Sequence, residues 1–285
     1  MDDDNTWVTE ELVGLVRRFQ AIFSETVLPS MDTFTLADLA ERSAEMVAVA
    51  VVERQVSVLR AAVELADLQM GHLAIPFVRP ACEELIWLTY LAQLEEPIRS
   101  RLILLLQSKE STDGVNAQQQ FLGAKTMRQL GFPKSFVNKQ LAARTVAEDN
   151  LKAIGETLHW EDGLPSVGWI ANQVGLGSFY SFFYSASSKG VHFSPSELFR
   201  SAWTETSDSD SHVSFFAEQY RDYRTEFCLH WLTRLLLEST VQVDLLTNLD
   251  GFVGSSAQEI LELAELIGSK GKVPIVHAGE FNLRR

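Results

Sequence analysis

The sequence predicts an all-α protein, a multi-helix bundle with one long C-terminal helix and no significant β-sheet. Apolar residues recur at helical spacing along most of the chain, and no stretch shows the sustained alternation of a strand. A third observation is a set of helix start signals, of which Ser194-Pro195-Ser196-Glu197 is the strongest. The clearest helix carries an apolar seam in steps of three and four residues, formed by Val49, Val52, Val56, Leu59, Val63, Ala66 and Met70.

Start and stop signals place the other helices in order. The first is expected over about 9–23, before a break at Pro29, and Thr35 with Asp38 resembles a capped start. Loops are expected at 111–114 and 208–211. Further helices are expected over about 75–94 and 98–109. A pair of helices split at 131–133 is expected to follow and to extend to about 158. The last helices are expected over 178–189, over 213–249 and from 256 onward. We therefore predict an N-terminal helical segment (1–34), a single helical domain (35–268) and an irregular C-terminal tail (269–285).

Composition limits the classes of protein to which the chain can belong. Hydrophobic residues make up 46% of the 285 positions and charged residues 22%, as in an ordinary globular protein. The longest uncharged apolar stretches, 46–52 and 85–94, are too short to span a membrane, and the acidic start is unlike a signal peptide. Cys82 and Cys228 fall in apolar helical patterns and are expected to be buried free thiols. We therefore expect a soluble, cytoplasmic protein without a membrane partner.

The formal net charge of −14 disfavours nucleic acid as a partner, because an acidic protein repels phosphate backbones on average. One stretch of the sequence is basic although the whole chain is acidic. It contains few acids and holds Lys125, Arg128, Lys134, Lys139 and Arg144. The interpretation we favour is the solvated face of two helices, with a local binding patch as the alternative.

Arg79 and Glu83 form the first candidate site. Four residues apart on a helix, their side chains lie on one face and can pair. Their surroundings are apolar, with Cys82, Ile86 and Trp87 close in sequence. Buried charges need partners, so the pair is expected either to lock neighbouring helices together or to line a functional polar pocket.

Tyr184, Ser188 and His192 form the second candidate, spaced four residues apart, and Tyr180 extends the stripe by one turn. Tyrosine, serine and histidine bring donors, acceptors and a titratable group to one line. Gly190 fits the left-handed position after a helix end, which would place His192 in a tight junction before the next helix. A neutral histidine there can act as acid, base or ligand, or hold the junction closed by a backbone hydrogen bond. We expect Arg79 and Glu83 to lie within hydrogen-bonding reach of this segment.

The order of these motifs resembles a bacterial all-helical family known only as a domain of unknown function. The resemblance rests on Arg79-x-x-x-Glu83, then Leu164-Pro165, then Tyr180-x-x-x-Tyr184-x-x-x-Ser188-x-x-x-His192 and Ser194-Pro195, and it covers roughly 41–249. It implies an α-helical domain with no established activity, and a polar set made of Arg79, Glu83, Tyr184, Ser188 and His192. Members of that family often carry His-Pro-Ser at the junction, where this chain has His192-Phe193-Ser194-Pro195.

A more distant similarity is to the nucleotide-binding and RNA-cleaving helical superfamily abbreviated HEPN. Its signature is an arginine four to six residues before a histidine on one helix, and residues 186–191 contain no arginine. Lys189 is a poor substitute because it lacks the planar fork that grips phosphate with two bonds. The alternative function is therefore a phosphodiester-cleaving enzyme in which His192 is acid or base and Arg79 holds phosphate.

Metal and cofactor motifs are weak. Glu226, His230, Arg234 and Glu238 recur every four residues, so Glu226 and His230 could hold one edge of a metal site. A charged stripe between packed helices is the favoured interpretation, since the segment offers few ligands. No motif for binding a cofactor is found, and we expect none.

The function predicted from the sequence is a helical binding or regulatory protein, with an unknown ligand or protein partner. An analogy alone suggests a role in stress or phage defence. The apolar residues of the long helix do not fit one stripe, so this helix is expected to be central or part of a homodimer interface. They are Phe215, Phe216, Phe227, Trp231 and Leu235.

Overall fold

The structure is a computed structural model that describes residues 9–31, 34–39, 41–161, 163–191, 194–206, 211–215, 218–247, 256–269 and 273–276. The all-α prediction is confirmed. The first part of the chain contains α1 (Thr9–Ile22), a π-helical turn (Phe23–Val27), α2 (Leu28–Ser30), a 3-10 turn (Leu36–Leu39), α3 (Ser43–Asp67) and a second 3-10 turn (Gly71–Ala74). After them come α4 (Ile75–Ala92), α5 (Glu96–Gln129), α6 (Lys134–Thr157), α7 (Val167–Gln173), α8 (Gly177–Val191), α9 (Pro195–Arg200), β1 (Ala202–Thr206), β2 (Ser211–Phe215), α10 (Glu218–Thr247) and α11 (Ala257–Gly268).

The β-structure of the described residues is one antiparallel hairpin, in which Ala202 of β1 pairs with Phe215 of β2. The long helix was expected to begin near Val213, and this boundary is wrong because Val213 lies in β2 and α10 begins at Glu218. Each strand has five residues, too few for a strand pattern to stand out, although both are rich in β-branched and aromatic residues.

Helix α5 runs through the segment where a loop was expected at 111–114, and that prediction is wrong. Polar residues suggested the loop, but here they form helix-surface pairs. Lys109 Nζ donates to Asp113 Oδ2 at 2.7 Å, and Arg144 of α6 lies 2.9 Å from Asp113 Oδ1. The interruption falls instead at Gly123, whose φ of 76° only glycine adopts without strain.

Two other helix boundaries also differ from the expected ones. Pro29 does not break the first helical segment at its own position but lies inside α2, and the chain leaves the helix at Met31, which is extended. Gly190 is not a left-handed cap, because α8 continues to Val191. A Cβ at position 190 would come within 2.9 Å of Ile75 Cγ2, so this glycine lets α8 approach α4 closely. The start at Ser194 is confirmed, since its side chain accepts from the Glu197 N–H.

Helix α10 lies at the centre of the core and packs against α1, α3, α4 and α11. Phe227, Trp231 and Leu235 are all buried, which confirms the first of the two alternatives expected for this helix. Phe216 and the Phe215 side chain lie outside the described residues. The buried residues of α1 and α11 belong to the same hydrophobic cluster as those of α10.

Helices α5 and α6 form an antiparallel arm. Its base joins α3, where Ser43 Oγ donates to the Ser100 carbonyl at 3.2 Å. Farther along, Met127 and Val137 are buried outside the main cluster, so the distal part of the arm has a small core of its own. The split at Gly131-Phe132-Pro133 is confirmed as the turn between the two helices.

The C-terminal tail is described over 273–276, where its backbone packs on α10. Trp231 Nε1 donates to the Val273 carbonyl at 2.9 Å, and the Tyr223 hydroxyl donates to the Pro274 carbonyl. Across the described residues, no helix combines the length and apolar character needed to cross a membrane.

Candidate functional site

Helix α4 carries the predicted Arg79–Glu83 pair. Arg79 Nε donates to Glu83 Oε1 at 2.7 Å, across one turn of helix. The side chains are 30% and 27% exposed, so the pair is neither sealed in the core nor fully solvated. The bond to Glu83 is the main reason that the pKa of Arg79 is raised above its ordinary value.

Tyr184 of α8 meets this pair from the neighbouring helix. The Arg79 guanidinium carbon lies 4.7 Å from the centre of the Tyr184 ring, within the range of a cation–π contact. The Tyr180 ring lies 5.7 Å from the Tyr184 ring, and burial, followed by the charge of Glu83, raises the pKa of Tyr180. Arg79 therefore connects α4 to α8, through a ring face rather than through the hydrogen bond that was expected.

The rest of the predicted stripe is not brought into this contact. Ser188 is half-buried on α8, whereas its neighbour Ser187 is fully buried and donates to the Phe183 carbonyl at 2.6 Å. His192 lies outside the described residues. The structure thus brings together Arg79, Glu83 and Tyr184, with Tyr180 beside them.

A cleft of about 450 Å³ between α3, α4 and α5 has Glu83 in its wall. Its apolar wall includes Val47, Val51, Leu88, Leu91, Ile103 and Leu106. Its charged residues are Arg54, Glu83, Glu84 and Glu110, and Trp87 adds an aromatic surface. The lining therefore contains more carboxylates than guanidinium groups around an apolar body, and it carries a net negative charge.

Sequence reasoning missed the best-anchored carboxylate of the cleft. Glu84 is buried, pairs with Arg54 of α3 and accepts from Gln55 Nε2 at 2.9 Å. Gln55 also donates to the Ala81 carbonyl at 3.3 Å. The available signal was Gln55, a polar residue between the seam residues Val52 and Val56 of α3, because a polar side chain on a core face needs a partner.

A second polar group that the sequence did not reveal lies between α9 and α10. Arg224 is 1% exposed, and its guanidinium pairs with Glu197, which also accepts from the Tyr220 hydroxyl at 3.0 Å. Glu197 was expected only as part of a helix start. A buried pair with this geometry holds the two helices together, which was one of the two alternatives expected of Arg79 and Glu83.

The residues with metal-ligand spacing are engaged elsewhere. His230 Nδ1 lies 3.3 Å from the Ile267 carbonyl of α11, and Arg234 bonds Glu238 at 3.3 Å. Burial lowers the pKa of His230, so the neutral ring is favoured. Within the described part of the chain, no group of three His, Cys, Asp or Glu residues is placed to hold a metal ion.

A match to a protein family was found by comparison with known proteins. The model of DUF5677, a family of unknown function, matches residues 45–210. This span begins in α3 and contains the cleft, Arg79, Glu83 and Tyr184. No curated protein and no solved structure matches the chain.

Proposed function

The chain belongs to DUF5677, and we propose that it is a regulatory binding protein whose cleft between α3, α4 and α5 takes a small amphiphilic cation. The observation that carries the proposal is the position of Glu83. Its carboxylate lies in the cleft wall and also accepts the hydrogen bond of Arg79, which covers Tyr184. One side chain therefore links the cleft to α8.

The lining defines the chemistry of the ligand. The volume of about 450 Å³ is within the usual range for small-molecule sites, and most of the wall is aliphatic. Glu110 is exposed at the rim and makes no ion pair with the described residues, so its charge is available to a ligand. Trp87 offers the ring face that organic cations bind.

A bound cation would compete with Arg79 for Glu83. The pair is held by one hydrogen bond between side chains that are about one-third exposed, so exchanging the partner of Glu83 costs little free energy. Arg79 would then be released from Glu83 while still lying on the Tyr184 ring. In the proposed regulation, ligand binding in the cleft breaks the Arg79–Glu83 hydrogen bond and so changes the contact between Arg79 and α8.

The test is calorimetric titration of the full chain with three probes of equal chain length: hexyltrimethylammonium, hexyl sulfate and hexanol. We expect the ammonium to bind about 10-fold more tightly than hexanol, a difference of about 1.4 kcal/mol, and the sulfate to bind weakest. Equal affinity for all three probes contradicts the cationic ligand, and no binding of any of them contradicts the binding function.

Three variants locate the site. Glu110→Gln should remove most of the preference for the ammonium, and Leu106→Trp should fill the cleft and weaken all three probes. Glu53→Gln is the matched control, because it removes one exposed carboxylate from α3 outside the cleft and should change nothing. If Glu53→Gln acts like Glu110→Gln, the preference comes from net charge rather than from the site.

The phosphodiester-cleaving alternative stays a prediction. It requires His192, which lies outside the described residues. It also requires a phosphate bound to Arg79, whose Nε already donates a hydrogen bond to Glu83. We also propose a cytoplasmic location, because Cys82 and Cys228 are free thiols, as is usual in a reducing compartment.

A further inference from the structure

The distal end of the α5–α6 arm has a charge opposite to that of the whole protein. Between Gly114 and Glu148 the sequence contains five basic residues and no acidic one, in a chain of net charge −14. Arg144 is paired with Asp113 and Glu148. The other four residues, Lys125, Arg128, Lys134 and Lys139, are exposed, and we call them the basic tip.

The basic tip is not neutralised locally. Lys125, Lys134 and Lys139 form no ion pair with any described residue, and Arg128 Nε donates to the Ala124 carbonyl at 3.3 Å. Four uncompensated charges therefore surround the turn at 131–133 that ends the arm.

Large apolar side chains are exposed among these charges. Phe121 is 90% exposed, Leu130 54% and Phe136 38%, and the last two flank the turn. Met127 and Val137 are buried between the helices beneath them, and the Phe132 and Phe136 rings meet edge to face at 5.6 Å. The apolar groups are thus presented by a packed structure rather than by a loose loop.

The arm also separates this surface from the acidic body. From Ser100, which contacts α3, to Leu122 the helix extends about 33 Å. Interactions between exposed charges are screened over about 8–10 Å at physiological ionic strength, so the negative body contributes little at the tip. The net charge that argued against anionic partners does not apply there.

We propose that the tip of the α5–α6 arm docks on an anionic lipid surface. Basic and apolar groups presented together are the two signals by which proteins bind membrane interfaces without spanning them. Nucleic acid would use the lysines and could stack on Phe121, but it has no use for an exposed Leu130.

This surface departs from the expectation that the chain has no membrane partner. That expectation rested on the lack of a spanning segment, and peripheral docking requires none. It is independent of the proposed ligand cleft, since none of the residues of the basic tip lines the cleft.

The test is co-sedimentation of the full chain with vesicles of phosphatidylcholine alone and of phosphatidylcholine mixed with phosphatidylglycerol. We expect binding to the mixed vesicles, weakened by salt. Lys134→Gln with Lys139→Gln should lower the affinity about 30-fold, and Leu130→Ser should lower it without changing the salt dependence. Lys152→Gln, an exposed lysine of α6 outside the tip, is the control and should have no effect.

Other outcomes overturn the proposal. Equal binding to both vesicles, or binding to neither, contradicts an anionic lipid surface. Binding of a single-stranded oligonucleotide that is sensitive to the two lysines but not to Leu130 identifies the tip as a nucleic-acid contact. Self-association in sedimentation velocity that Lys134→Gln with Lys139→Gln abolishes identifies a second copy as the partner.

Discussion

Arg224 and Glu197 form an ion pair inside the protein, 27 residues apart in sequence and joined across α9 and α10. The Arg224 side chain is 1% exposed and the Glu197 side chain 11%. The Arg224 guanidinium carbon also lies 5.8 and 5.9 Å from the Tyr220 and Phe227 rings. Charge, hydrogen bonding and aromatic packing therefore converge on one arginine.

Removing either partner of this pair should be strongly destabilising. Arg224→Met leaves Glu197 buried without its cation, and Glu197→Leu does the reverse, so each should lower the free energy of unfolding by about 3–5 kcal/mol. The double variant should cost less than the sum of the two, because neither charge is left unpaired. Urea denaturation measures all three values.

The matched control lies on the same helix. Arg234 and Glu238 are paired across one turn of α10, but their side chains are 49% and 43% exposed. Arg234→Met should therefore cost no more than about 0.5 kcal/mol. Similar losses for Arg224→Met and Arg234→Met would mean that the buried pair is not a special support of the fold.

The Arg79–Glu83 pair should behave like a surface pair. Because both side chains are about one-third exposed, Glu83→Gln is expected to cost less than about 1 kcal/mol. Arg79→Met should cost somewhat more, because it also removes the contact with the Tyr184 ring. A double-mutant cycle of Arg79→Met with Tyr184→Leu isolates that contact, and a coupling energy of zero would show that the ring contributes nothing.

The free energy of unfolding should decrease as the pH is lowered, because of His230. Its pKa is lowered in the folded protein by burial, with a smaller contribution from Arg234, against the hydrogen bond to Ile267. The unfolded chain therefore binds a proton first as pH drops below about 6.5, and the folded state loses stability from there down to its own pKa. One proton contributes at most about 1.4 kcal/mol per pH unit.

This pH dependence is tested by thermal melts of the parent protein and of His230→Asn, measured between pH 8 and pH 5.5. Asparagine keeps a donor for the Ile267 carbonyl but cannot be protonated, so its melting temperature should fall less over this interval. His72, whose pKa burial also lowers, remains in both proteins and cancels in the comparison. Parallel pH curves for the two proteins would exclude His230 as a source of the slope.

Gly71 is required by the contact between its 3-10 turn and α10. A Cβ at this position would lie 2.7 Å from Thr225 Oγ1 and clash with the Thr225 methyl group. Gly71→Ala should therefore cost about 1–3 kcal/mol, and adding Thr225→Ala should recover part of that loss. Gly14→Ala is the control, since nothing lies within 4 Å of its Cβ, and it should stabilise α1 by about 0.5–1 kcal/mol. A destabilisation of equal size at both glycines would contradict the steric explanation.

The sequence by itself determined the helices, because their apolar spacing and caps are local. Met70 was wrongly expected in the seam of α3, since it lies beyond the end of that helix and is 43% exposed. The seam from Val52 to Ala66, the Ser194 start and the burial of Phe227, Trp231 and Leu235 were predicted correctly. So was membership in a helical family of unknown function, although the matched residues, 45–210, are fewer than the expected 41–249. The apolar faces and start signals of the helices depend on residues only three or four positions away in sequence.

The tertiary structure decided which polar residues lie inside. Arg79 lies in apolar helical sequence and Arg224 has charged neighbours in Arg221, Asp222 and Glu226, yet Arg79 is 30% exposed and Arg224 only 1%. The burial of each arginine depends on which other helix packs against it. The local sequence pattern does not specify which helix that is. The same applies to the cleft, which exists only where α3, α4 and α5 meet. It applies also to the polar run at 111–114, which is helical and in which Asp113 pairs with Arg144 of α6.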